Sequence, residues 1–487
     1  MVDDALTSGI APSRIAFLAF TRKAATEAKE RAAERFGLDP KKDLTYFRTI
    51  HSLALSLSDI RQTQIMQPEH YKEISHVTGI EIGDKKVPDF EEDLSSMATS
   101  KDPVLGLINL ARLRKVELRQ QYNESNIEVD WNTVSYIDKS LTAYKQRFNL
   151  YDFTDMLEMF VKDGAAYCPE FDLCFVDEAQ DLSPLQWDIA HVLDQRSKRM
   201  YAAGDDDQAI YRWAGADVDH FINLPGGAET LSQSHRIPRD VHEIAERVVR
   251  RIARRFPKHY EPKKERGHVA RVTSISEIDM SQGSWLILSQ AGYQLQPVAQ
   301  EMKSSGLLFT YRGARSISEK VSSAVNGWEQ LRKGQVVNGD TARAVYSYMS
   351  IGDRVLRGFK TLPGIQGEDI LSMEQLRHSH GLLAPEDMIW SEALNRLPES
   401  DRVYITALLR RGERFNGTPR ISLSTIHGAK GGEADNVVLF TDLSSAATEE
   451  MDRNPDDTHR VFYVGVTRTK QNLYLMEPED VERCYDI

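Results

Sequence analysis

Cysteine is nearly missing from this chain. Three of them in 487 residues (Cys168, Cys174 and Cys484) form no metal-ligand spacing and imply no disulfide framework, which leaves a reducing cytoplasm as the simplest compartment. Long apolar runs are missing too, and none approaches the roughly 18 residues needed to span a bilayer. The opening MVDDALTSG has no basic flank followed by an apolar stretch, so no signal peptide is read there. Positive charge is not in excess: the formal net charge is −12. That balance argues mildly against indiscriminate nucleic-acid binding, although the local field in a groove matters more than the sum. One further absence bears on chemistry. No GxxxxGK[ST] run occurs, and with it is missing the loop whose amides and lysine cradle nucleotide phosphates.

What is present is ordinary in bulk and specific in detail. Hydrophobic content of 41% and charged content of 28% are those of a soluble globular protein, and the length suggests about three or four folding units. The stretch LCFVDEAQDLSPLQWDIAHVLDQRSKRMYAAGDDDQAIYRWAGA, Leu173 to Ala216, carries the most information. Asp177-Glu178 follows the apolar run Leu173 to Val176, and Gly204-Asp205-Asp206-Asp207-Gln208 follows Met200 to Ala203. In open α/β sheets ligands sit beyond the carboxyl ends of parallel strands. Adjacent carboxylates in that place suit a hydrated Mg²⁺ and an activated water beside a nucleotide phosphate. Tyr211-Arg212-Trp213 follows closely, a surface on which bases can stack. Elsewhere, Arg247 to Arg255 and Arg410-Arg411 with Arg414 read as solvated helix faces.

Periodicity divides the chain into two α/β sets. Arg14 to Phe20 predicts a buried strand, and Thr21-Arg22-Lys23 starts a helix that Gly37 stops after Phe36. Asp43 to Phe47 predicts another strand and Thr49 to Leu57 a helix. From about Asp59 to Leu150 the chain is polar and helical, with Lys101 to Tyr122 an amphipathic candidate. Strand–helix alternation resumes at Leu173. A second set starts near Leu231, with strands expected at Val269 to Thr273, Trp285 to Ser289, Ile421 to Thr425, Val437 to Phe440 and Leu473 to Met476. A mostly helical stretch lies between about Ser318 and Phe415. The division expected is a first core of 1–58 and 151–228 around an insertion at 59–150. A second core of 229–317 and 416–487 surrounds an insertion at 318–415.

Seven motifs in order carry a resemblance: FLAFTRKAA (Phe17 to Ala25), TIHSLAL (Thr49 to Leu55), YDFTDML (Tyr151 to Leu157), VDEAQD (Val176 to Asp181), AGDDDQAIYRWAGA, LSTIHGAKGGEADNVVLF (Leu423 to Phe440) and FYVGVTRTK (Phe462 to Lys470). The chain resembles the UvrD/Rep/PcrA-type helicases of superfamily 1 over nearly its whole length. The resemblance implies an α/β fold of two RecA-like, P-loop NTPase-type domains with parallel sheets, each carrying a mainly helical insertion. It implies ATP and Mg²⁺, with ATP between the two cores, and a single-stranded DNA or single/double-strand junction as partner. It also implies replication or repair proteins as further partners and the cytoplasm of a bacterium or phage-infected cell as the compartment, with no membrane. The implied activity is ATP-driven 3′-to-5′ translocation. Asp177 would hold the Mg²⁺, Glu178 would polarise the attacking water, and Gln208 would sense the γ-phosphate. Arg236 and Arg468 would act as arginine fingers. His235, Gly431 and Glu433 match nucleotide contacts, Glu433 that to the ribose. Phe20, Phe153, Tyr211 and Trp213 match base-stacking positions; Thr21, Thr49, His51, Arg212 and His427 match other DNA contacts.

The chain departs from that pattern in the missing phosphate loop, which in relatives lies just before the segment matching Arg14 to Phe20. The earlier glutamine motif that contacts adenine is missing as well. A reading frame starting upstream, an intervening element and a product unable to hydrolyse ATP alone all fit. The last makes a catalytically silent DNA-binding or scaffold protein the alternative expectation. As written, the polypeptide is expected to bind ATP poorly.

Overall fold

Two parallel sheets organise the molecule, one in each of two units. In this computed structural model, residues 1–83, 102–414 and 416–487 are described. The first unit is Met1–Thr230 with Ile252–Lys258, and the second is Leu231–Arg251 with His259–Ile487. The fold is mixed α/β with parallel-dominated sheets, as the motifs imply.

In the first unit, strands β1 (Ile15–Ala19), β2 (Phe47–Thr49), β3 (Leu173–Val176) and β4 (Met200–Ala202) form a wholly parallel sheet in the order β2-β1-β3-β4. Alternation along each strand sorts the side chains into two cores. Ala16, Leu18, Cys174 and Val176 pack beneath helices Ile50–Ser56, Phe153–Tyr167 and Pro184–Gln195. Ile15, Phe17, Leu173 and Phe175 face the other way, against Ala32 of helix Arg22–Phe36 and against Leu44. Both faces of a parallel sheet must be covered, and the central strands β1 and β3 are accordingly apolar throughout. Thr21 caps helix Arg22–Phe36 by accepting the Ala24 amide at 3.1 Å, and Gly37 ends it at φ 65°.

One strand departs from expectation. Asp43 to Phe47 is not a strand; pairing starts only at Phe47. The Asp39 carboxylate accepts the amides of Lys41 and Lys42, while Asp43 accepts the Asp39 amide. These side-chain bonds hold the backbone in turns before it can join the ladder.

Within residues 59–150, the described elements are helical: Pro68–Thr78, Pro103–Leu113, Leu118–Glu124 and Trp131–Phe148. They share a core of their own, including Ile74, Val104, Ile108, Val134 and Ile137. Lys101, where the amphipathic candidate was expected to begin, and Phe415, the expected end of the second helical stretch, lie outside the described residues.

The second unit holds β5 (His268–Val272), β6 (Trp285–Ser289), β7 (Phe309–Tyr311), β8 (Ala314–Arg315), β11 (Ile421–Thr425), β12 (Ala434–Phe440) and β13 (Thr469–Met476). Their order is β5-β13-β12-β6-β11-β7-β8, parallel except for the β7–β8 hairpin. That hairpin was not expected from the sequence. Its two-residue turn places Arg312 and Gly313 at φ 49° and 83°, the conformation usually signalled by Asn-Gly. Between Ser318 and Arg414 lie mainly helices and one short antiparallel pair, β9 (Val337–Asn338) with β10 (Ile370–Leu371). Trp328, Val345, Leu376 and Leu408 of this stretch share one core with Ile287, Leu423 and Val438 of the sheet. Among the described residues, no helix is long and apolar enough to cross a membrane.

Candidate nucleotide and strand-binding site

Parallel strands bring their following loops to one sheet edge, and the first unit gathers much of its chemistry there. Phe20 and Thr21 follow β1, Asp177 and Glu178 follow β3, and Asp205 to Gln208 lie just beyond β4. The Asp177 amide still donates to Leu18 O at 2.8 Å, extending the ladder by one residue. Glu178 then turns into the left-handed region, φ 53°, and its amide donates to Asp177 Oδ1 at 3.0 Å. A non-glycine residue held there carries backbone strain of the kind found at functional turns.

Gln180 joins the two acidic loops. Its Nε2 donates to Glu178 Oε2 at 2.5 Å, and its Oε1 accepts the Asp205 amide at 3.0 Å. The approach leaves no room beside Gly204, where an added Cβ would lie 2.2 Å from Gln180 Oε1. Asp205 accepts the Asp207 amide at 3.2 Å through Oδ1 and the Gln208 side chain at 2.7 Å through Oδ2. Gln208 is thus aimed by the turn that carries it.

The aromatic residues divide by exposure. Phe20 and Tyr211 are buried and stack on each other, with centroids 5.3 Å apart and planes 23° apart. Trp213, 46% exposed, sits 6.2 Å from Tyr211, and its neighbour Arg212 is exposed. Phe153 is half-buried against Ile60, Ile65 and Met156. Thr49 and His51 are buried; Thr49 caps helix Ile50–Ser56 through the Ser52 amide, at 3.3 Å. Burial pushes the His51 imidazole down to about 4, so it is neutral at pH 7.

In the second unit the candidate residues lie at two sheet edges. His427 begins the 3₁₀ turn His427–Ala429 beyond the carboxyl end of β11. Glu433 and Arg468 precede β12 and β13, whose first residues Ala434 and Thr469 pair, so both lie at the amino edge. Glu433 accepts from Arg236 Nε at 2.7 Å and bridges to Lys470 Nζ at 2.9 Å. The bond from Lys470, then the Arg236 charge, holds its carboxyl below the usual glutamate range against the opposing effect of burial. Arg468 is 2% exposed and donates to Val464 O at 3.1 Å, Gly432 O at 3.4 Å and Thr467 Oγ1 at 3.2 Å. His235 is exposed, and Gly431 has φ 77° with open space where a side chain would stand.

Residues 4–226 match the UvrD/REP helicase N-terminal domain, and residues 421–476 match the UvrD-like helicase C-terminal domain. The chain belongs to the UvrD/REP helicase family. Among its relatives, the ATP-dependent DNA helicase PcrA of Bacillus subtilis (strain 168) is 26% identical, over 96% of this chain and 76% of that protein. The putative ATP-dependent DNA helicase YjcD of the same organism is 24% identical, over 80% and 52% respectively. PcrA of Leuconostoc citreum is 28% identical over 51% of this chain and 34% of its own length. The chain therefore spans about a third to about three quarters of these relatives.

For a UvrD/REP-type site, the residues present suit Mg²⁺ in the manner usual beside phosphates, where one or two carboxylates suffice and water and phosphate complete the shell. Asp177, with one oxygen already accepting an amide, has that chemistry. Among the described residues, no group of three His, Cys, Asp or Glu side chains is placed to hold a metal by itself.

Sequence reasoning missed Lys258 and read Arg255 as part of a solvated helix face. The helix ends at Val249, and Arg255 instead clasps Asp207 through Nε at 2.8 Å and Nη2 at 2.6 Å. Three adjacent aspartates, two of them buried, were the available signal: buried charges need partners.

Proposed function

We propose that this protein is an ATP-driven motor on single-stranded DNA, moving 3′ to 5′ in replication, repair or recombination. The observation that carries the reading is the Gln180 bridge between Glu178 and the Asp205–Gln208 turn, within a chain of helicase family. It supports a direct route from the phosphate-facing carboxylates to the loop bearing Tyr211 and Trp213.

Asp177 would hold Mg²⁺, which when bound neutralises charge on the β- and γ-phosphates. Glu178 takes a proton from the attacking water as the bond from the γ-phosphorus to the bridging oxygen breaks, giving ADP and phosphate. Gln208 reports the γ-phosphate. Arg236 and Arg468 stabilise the developing charge, and for Arg236 this means exchanging its Glu433 partner for phosphate. Glu433 released in that exchange is available to the ribose, with His235 against adenine and Gly431 at the turn. Phe20, Phe153, Tyr211 and Trp213 provide stacking surfaces. Thr21, Thr49, His51, Arg212 and His427 line the track.

The test uses this chain with a phosphate-loop segment joined upstream, assayed for ATP hydrolysis with and without oligo(dT). Hydrolysis stimulated by DNA and reduced at least about 100-fold by Glu178→Gln is expected, the lower end of the range for a positioned acid or base. Hydrolysis that ignores DNA, or survives that substitution, rejects the motor.

A further inference from the structure

The acidic turn after β4 is held by a segment that comes from far along the chain. Residues Ile252–Lys258 pack with the first unit, whereas the residues on either side belong to the second. The chain crosses into the first unit and returns, and at this crossing it engages all three aspartates. Lys258 Nζ lies 3.1 Å from Asp205 Oδ1 and 2.9 Å from Asp207 Oδ2, and it also meets Asp206 Oδ1. The Phe256 amide donates to Asp206 Oδ2 at 2.7 Å, and Arg255 grips both oxygens of Asp207.

These contacts are too enclosed to be casual surface pairing. The Lys258 side chain is 5% exposed, and those of Asp206 and Asp207 are 3% and 0% exposed. Burial works against the lysine charge, yet Asp205, Asp207 and Asp206 together hold its pKa above the ordinary value. An ammonium withdrawn from water to this extent persists only where surrounding carboxylates compensate it. Asp205 shares its carboxylate between Lys258 on one oxygen and the Gln208 side chain on the other. Three residues beyond Gln208 the same loop presents Tyr211, stacked on Phe20, and then Trp213.

We propose that Lys258, assisted by Arg255, is a positioning residue: it fixes the Asp205–Asp207 turn so that the Tyr211–Trp213 loop is presented to the bases of a single strand. The proposal rests on the DNA-binding reading above. It makes the crossing segment, which touches none of the proposed DNA contacts through these bonds, a determinant of strand affinity.

The chain as it stands is titrated with fluorescein-labelled oligo(dT), reading anisotropy and tryptophan quenching, with melting curves for every variant. Trp213 is the one strongly exposed tryptophan among the described residues, so the quench lost in Trp213→Phe defines its signal. Lys258→Met is expected to weaken binding about tenfold, the scale of coupling through a positioning network. It is also expected to reduce the Trp213 quench at saturation. Lys258→Arg keeps both within about twofold, since a guanidinium can still meet the carboxylates. If Lys258→Met does not fold, the double variant Lys258→Met/Asp206→Asn decides. It restores the cluster's charge balance while leaving an acceptor for the Phe256 amide, and is expected to recover most affinity over a fully uncompensated turn. Unchanged affinity and quench in folded Lys258→Met overturn the proposal. So does a folded double variant that binds no better than Asp206→Asn combined with Lys258→Ala and Arg255→Ala. Failure of the unaltered chain to bind oligo(dT) instead rejects the DNA-binding reading itself.

Discussion

Burial of His51 couples the stability of the fold to pH. Enclosure lowers its pKa from 6.5 to about 4, so the folded state binds fewer protons than the unfolded chain between those values. The resulting stability is fully present above about pH 6.5 and is lost as pH falls toward 4. A shift of that size corresponds to roughly 3 kcal/mol. Urea midpoints measured from pH 7 to pH 4.5 should therefore fall, and His51→Asn should flatten that part of the slope. A variant with the same acid dependence as the parent would show that His51 is not the responsible group. TIHSLAL made the histidine visible as a candidate DNA contact, but its burial is a property of the folded chain.

At the scale of elements, a cluster of charges joins three helices. Arg112, from helix Pro103–Leu113, meets Asp152 at 2.9 Å, Asp155 at 2.5 Å and Glu158 at 2.8 Å. Lys145, from helix Trp131–Phe148, meets Asp152 at 2.5 Å and Asp155 at 2.7 Å. Asp152 also caps helix Phe153–Tyr167 by accepting the Asp155 amide, so the cluster sets the start of the helix that carries Phe153. Removing one partner from a buried pair strands the other's charge, which costs more than the pair contributes. Arg112→Met should lower the unfolding free energy by about 3 kcal/mol in urea titrations, and Arg112→Met/Asp152→Asn should recover part of the loss. A change below about 0.5 kcal/mol, the scale of an exposed pair, would contradict that account. YDFTDML offered Phe153 as a base-stacking position. It contained no sign that Asp152 and Asp155 would find Arg112 and Lys145, because ion pairs across helices have no local period.

For the whole molecule, charge and stacking make distinct predictions about DNA affinity. The net charge of −12 disfavours a large backbone-only contribution, while stacking on an exposed aromatic is far less sensitive to salt. Oligo(dT) affinity of this chain should fall only on the order of tenfold between 50 and 200 mM salt, consistent with about two or three neutralised phosphates. Anisotropy titrations across that range check it, and a loss near 1,000-fold would mean that phosphate contacts dominate.

Apolar runs closed by turn residues were enough to locate β1, β3 and β6 within a residue or so, because a strand buried on both faces is apolar at nearly every position. The order of motifs was enough to indicate the family. The short strands were less legible: β2 was displaced by side-chain bonds in the turn before it, and the β7–β8 turn lacked its usual residues. Tertiary structure alone decided which aspartates share Lys258, that Glu433 holds Arg236, and that Arg468 is enclosed by backbone carbonyls. The physical reason is common to all three. Hydrophobic periodicity is written locally along the chain, whereas the partner of a buried charge is chosen by whichever distant segment folding brings within hydrogen-bond reach.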